Sequence, residues 1–146
     1  LPKTHLDGAA LKLPDGTPVV ALTLRFDRLD NFWFTLFHEL AHVALHLDQN
    51  NFDAFFDDLS ETAKKDQCEQ EADKLATEAL IPEAEWKAAS LTKNSRSSDV
   101  RDLAMKLRIS PAIPAGRIRH QTGNYKMLNA LIGTGKLRPM FGLKES

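Results

Sequence analysis

Residues 38–46 read HELAHVALH and lie inside the apolar run LDNFWFTLFHELAHVALHL, so three imidazoles and a carboxylate fall where the chain is best suited to a core helix. A buried polar side chain without a partner costs about 2–7 kcal/mol when neutral, and more when charged. Few folds tolerate such a segment unless something satisfies all of these groups together. His38-Glu39-Leu40-Ala41-His42 is an HExxH motif. On a helix, positions i and i+4 share a face one turn apart, so both imidazoles point at one ion while the adjacent glutamate reaches a water on it. The alternative, two core histidines bonded to backbone carbonyls, asks a helix interior for more partners than it offers.

Imidazole and carboxylate donors suit zinc, and a catalytic zinc takes three protein ligands with a fourth position left open. His46 follows His42 by four residues on nearly the same face, but three successive turns spread over about 12 Å, too far to chelate one ion. Nor is there the glycine that returns a third histidine in HExxHxxGxxH proteins. His46 is therefore expected to pack or hydrogen-bond behind the ligands. The third donor is sought in EQEAD, residues 69–73. Glu69 and Asp73 share a helix side with Ala72 and Ala76, whose small size lets another helix approach, whereas Glu71 points away with Lys74 and Glu78. Glu69 is assigned as the third ligand, and Asp73 as the carboxylate that orients a ligating histidine through its other ring nitrogen. Glu71 is the rival ligand, and solvated surface charge is the bland reading of all three acids.

Around these motifs, GAALKLPDGTPVVALTLRFD carries two β-prone runs about Pro14-Asp15-Gly16, a hairpin signature, with Val20, Leu22, Leu24 and Phe26 alternating along the second run. Asp30 is a candidate N-cap for a central helix of about 16–18 residues. NFDAFFDDLSETAKKDQ reads as a loop or broken helix, and DQCEQEADKLATEALIP as a helix closing near Pro82. A short helix is expected over 83–90. Another, capped by Ser97 or Ser98, should run through DVRDLAMKLRI, with a further short one in SPAIPAGRIRHQTG and a last one in NYKMLNALIG before an irregular tail. The fold class is α+β, an N-terminal β-hairpin on a helical core with the HExxH helix central and a mostly helical C-terminal half. A chain of 146 residues with 42% hydrophobic content suits a single domain over 1–146. The missing initiator methionine suggests processing or a fragment of a longer polypeptide.

HELAHVALH followed by EQEADKLATEALIP resembles the ImmA/IrrE family of zinc metallopeptidases, whose members pair HExxH with an ExxAD or ExxAN helix ending near a proline. THLDGAALKL, RLDNFWFTLFHELAH and ISPAIPAGRIRHQTGNY further resemble peptidase domains that follow a helix-turn-helix region in HigA-like antitoxin regulators. Leu75 departs from the aromatic residue many members carry there. The resemblance implies a zincin-like fold, zinc on His38, His42 and Glu69, and Glu39 as catalytic base and acid. It also implies hydrolysis of a peptide bond in a regulatory protein, of the repressor or toxin–antitoxin kind. DNA association would come through an upstream helix-turn-helix region. Tyr125, His120 and Arg117 are candidates for steadying the oxyanion.

No run is long and apolar enough for a membrane span, no signal-peptide layout opens the chain, and a lone Cys68 forms no internal disulfide, so cytoplasmic location is expected. Residues 1–92 hold 8 Lys+Arg against 17 Asp+Glu, a net of -9, while residues 93–146 hold 11 against 3, a net of +8. The halves can attract each other, or the basic half can meet an acidic partner. The second function class is thus a regulatory or binding domain with a structural zinc, whose basic half contacts DNA or a protein. DVRDLAMKLRISPAIPAGRIR has the layout of a DNA-binding helix pair with Arg117 and Arg119 in the second helix. Pro111, Pro114 and Gly116 are expected to leave that helix short and weakly formed. GTGKL lacks the spacing of a phosphate loop.

Overall fold

The computed structural model describes residues 7–47 and 61–143, without the side chains of 61–64. The chain divides into two compact units, one of residues 1–23 and 35–79, the other of residues 24–34 and 80–146.

In the first unit, β1 (Gly8–Lys12) and β2 (Pro18–Leu22) pair antiparallel, with Gly8 opposite Leu22 and Lys12 opposite Pro18. Gly16, at φ 87°, turns the chain between them, and Asp15 Oδ1 accepts the Thr17 N–H at 2.9 Å. The expected hairpin is present, but β2 stops at Leu22. Leu24 already belongs to the second unit, where its carbonyl accepts from the Arg138 guanidinium.

The helix α1 (Leu29–Leu45) is shared between the units, its first residues belonging to the second and the remainder to the first. Burial along its later turns inverts the usual pattern: Glu39, His42 and the following His46 are buried, while Leu40 and Leu45 are exposed. Asp30 lies inside the first turn of α1 rather than at its cap, because its carboxylate is taken by Arg28. The next helix, α2 (Glu61–Leu80), starts earlier than expected and takes up the end of the segment read as loop or broken helix, whose residues 51–60 lie outside the described residues. Ala72 and Ala76 are fully buried, whereas Leu75 is exposed.

The second unit holds α3 (Glu83–Ala89), α4 (Ser97–Leu107), α5 (Ala112–Thr122) and the short α6 (Leu137–Met140). Its core is Ile81, Trp86, Val100, Leu103, Ile113, Ala115, Ile118, Leu131 and Ile132. Arg96, not a serine, occupies the N-cap of α4, and its N–H donates to Asp99 Oδ2 at 2.8 Å. Pro111 and Pro114 fall at the cap and first turn of α5, where no intrahelical N–H is required, so the helix runs eleven residues uninterrupted. The helix expected over NYKMLNALIG is absent. Leu128 sits at φ 54°, and the Met127 carbonyl accepts from Arg119 at 3.2 Å instead of from a following turn. The tail, expected to be irregular, contains α6, because Asp27 Oδ1 accepts the N–H groups of Leu137 and Arg138 at 2.8 and 3.1 Å. Among the described residues, no helix is long and apolar enough to cross a membrane.

Candidate metal centre

His38 and His42 stand one turn apart on α1 with ring centroids separated by 4.7 Å and their Nε2 atoms by 3.0 Å. The Glu69 carboxylate, from α2, completes the group: Oε2 lies 3.1 Å from Nε2 of His38 and Oε1 lies 3.5 Å from Nε2 of His42. Ligands at zinc distances of about 2.0–2.1 Å, placed at tetrahedral angles, stand about 3.3 Å from one another. The separations of 3.0, 3.1 and 3.5 Å, the last two to different oxygens of Glu69, lie around that value, so the donor set is of the size that holds one metal ion. Among the described residues they form the one His/Cys/Asp/Glu group able to hold a metal ion.

Each histidine has a partner behind it. Nδ1 of His38 lies 2.8 Å from Asp73 Oδ1. Nδ1 of His42 lies 3.0 Å from Nδ1 of His46, and Nε2 of His46 lies 3.1 Å from Glu71 Oε2. Glu71 was expected to point to solvent. It is exposed there, and one of its oxygens also meets the buried His46 imidazole, while Gln67 Nε2 donates to the other at 2.8 Å. Burial holds the His42 imidazole below its ordinary pKa, with His38 and His46 adding to the effect and Glu69 opposing it. That favours the neutral ring a metal requires.

Glu39 is buried beside this group. Burial raises its carboxyl above the ordinary range and the charge of Glu69 adds to the rise, while His38 and the backbone N–H of Ala10 on β1 oppose it. A Cβ on Gly8 would stand 2.8 Å from Glu39 Cγ, Glu39 Oε1 and Thr35 Cγ2, so β1 passes this side chain at a distance only glycine permits. Sequence reasoning missed Gly8 and Ala10. The only available signal was a glycine opening a strand pattern, which marks a close backbone approach.

Several of the other singled-out residues are occupied by partners of their own. Burial, with Glu71 and Glu69, pushes the Cys68 thiol up, which disfavours its thiolate. Arg117, His120 and Tyr125 belong to the second unit. The Arg117 guanidinium donates to the Ile81 carbonyl at 3.1 Å and to Glu83, and lies 4.3 Å from the Trp86 ring centroid. Arg119 is 3% exposed and donates to Met127 O and Asn129 Oδ1.

An α+β chain with a hairpin set against an HExxH helix, and a carboxylate brought to it by a second helix, is a domain of metallopeptidase type. The family model of the peptidase M78 family, described as the IrrE N-terminal-like domain, matches residues 1–119, and the chain belongs to that family. No curated protein and no solved structure gives a significant match.

Proposed function

We propose that the chain is a zinc-dependent metallopeptidase that hydrolyses a peptide bond in a regulatory protein, a transcriptional regulator or toxin–antitoxin partner, in the cytoplasm. The supporting observation is the convergence of His38 Nε2, His42 Nε2 and the Glu69 carboxylate within 3.0–3.5 Å beside a buried Glu39. When bound there, zinc supplies the Lewis acidity that polarises a peptide carbonyl and acidifies a water.

The chain's own residues do the rest. His38 presents Nε2 because its Nδ1–H donates to Asp73, which fixes both tautomer and ring plane. Glu39 takes the proton of the attacking water on a carboxylate oxygen and delivers it to the leaving amine nitrogen. Burial suits it to that exchange, since a base with a raised pKa is a stronger proton acceptor and returns the proton nearer neutral pH. The Ala10 N–H holds the carboxylate in place from β1.

A purely structural zinc gives no reason to bury Glu39 next to the ligands. The alternative DNA-contacting role is also disfavoured, because Arg117 and Arg119 are already engaged within their own unit. The deciding experiment is a proteolysis assay of the Glu39→Gln variant against candidate regulators. It should keep its metal and fold yet lose hydrolysis by at least about 10²–10⁴-fold. Near-full activity in that variant overturns the mechanism.

A further inference from the structure

The two histidines of the metal group are supported differently. Nδ1 of His38 meets a carboxylate directly, at 2.8 Å, whereas Nδ1 of His42 meets a third imidazole, whose other nitrogen meets a carboxylate. His42 and His46 are both buried, at 9% and 5% exposure, so their ring nitrogens depend on these partners.

Two imidazole nitrogens 3.0 Å apart share one hydrogen, and the metal decides where it sits. If His42 gives its Nε2 lone pair to the ion, a neutral ring carries its hydrogen on Nδ1, and Nδ1 of His46 must accept it. A neutral His46 then carries its own hydrogen on Nε2, which faces Glu71 Oε2 at 3.1 Å, an acceptor when ionised. Gln67 Nε2 donates to the other Glu71 oxygen at 2.8 Å, so the carboxylate is held with Oε2 toward His46. Every hydrogen from the ion outward has one place, and three neutral imidazoles satisfy the whole chain without a surplus proton.

We propose that His46 and Glu71 are positioning residues for the metal centre. His46 accepts the Nδ1–H of His42, Glu71 accepts the Nε2–H of His46, and together they hold His42 in the tautomer and ring plane that present Nε2 to the ion. This rests on the assignment of His38, His42 and Glu69 as ligands. Outer partners of this kind typically contribute about 10–100-fold in metal affinity. Glu71 is half exposed, so water can replace it in part, and its share is the smaller of the two.

The test combines zinc affinity, measured by competition with a chromogenic chelator, with long-range 1H–15N spectra of the imidazoles in the zinc-loaded chain. The spectra should show His42 protonated at Nδ1 and His46 at Nε2 only. His46→Phe, which keeps the bulk but offers no acceptor, should weaken zinc binding about 10–100-fold. His46→Gln, with an acceptor and a donor in one amide, should recover part of that loss, and Glu71→Ala should lose less than His46→Phe. Zinc binding unchanged in His46→Phe, or a His46 protonated at Nδ1 in the loaded unmodified chain, overturns this assignment alone. An unmodified chain that binds no zinc overturns the ligand set as well.

Discussion

Gly8 of β1 leaves no space for a side chain against Glu39: an added Cβ would come within 2.8 Å of both Cγ and Oε1 of the buried glutamate, and within 2.8 Å of Thr35 Cγ2. The hairpin is thereby set against the residue assigned as proton carrier, with the Ala10 N–H bonded to its carboxylate. Gly8→Ala should displace that carboxylate while leaving the ligands on α1 and α2 where they are. Metal content should therefore stay unchanged, while hydrolysis falls by about 10²-fold, the cost of a misplacement near 1 Å. Parallel measurements of bound zinc and turnover check this, and full activity in Gly8→Ala would show that the approach of β1 is incidental.

Glu39 also leaves a signature in stability. Its folded-state pKa is raised by burial, so it binds its proton more tightly folded than unfolded. The corresponding stabilisation is fully present below the unfolded carboxyl value and is lost as pH rises through the folded one. Glu39→Gln cannot ionise and escapes that loss. In metal-free protein held with a chelator, the Tm of the variant relative to the unmodified chain should therefore rise from pH 4 to pH 8. A difference that is flat or falls over that range contradicts the burial argument.

The basic half should bind DNA only weakly. Arg119 is buried on Met127 O and Asn129 Oδ1, and Arg117 is engaged by Ile81 O, Glu83 and the Trp86 ring, so neither is available to read a groove. The remaining lysines and arginines give salt-sensitive, sequence-independent attraction to phosphates. Titration of duplex DNA at physiological salt should show little difference between a host operator and a scrambled sequence. Operator-selective binding that disappears on Arg117→Ala and Arg119→Ala would make this unit a DNA reader.

Much of the fold was legible in local patterns. The hairpin followed from alternation about Pro14-Asp15-Gly16, and α1 followed from its apolar run. What failed depended on partners distant in sequence. Asp27 caps α6 across more than a hundred residues, and Arg119 takes the Met127 carbonyl, which ends the helical pattern of NYKMLNALIG. Neither effect has a periodicity that a window of sequence can display. In the site, the side shared by Glu69 and Asp73 on α2 follows from helical spacing, and their atoms lie against His38. Helical spacing places Glu71 toward solvent, where it is, but its contact with His46 was hidden because that buried ring lies on a helix distant in sequence.

The most direct test of the central claim is the zinc content of the purified, metal-replete chain, measured by elemental analysis beside Glu69→Ala and Glu71→Ala. The ligand set predicts about one zinc per unmodified chain, a sharp loss in Glu69→Ala because a site reduced to two protein ligands is poor, and retention in Glu71→Ala at saturating zinc. No stoichiometric zinc in the unmodified chain, or loss in Glu71→Ala with retention in Glu69→Ala, would contradict it.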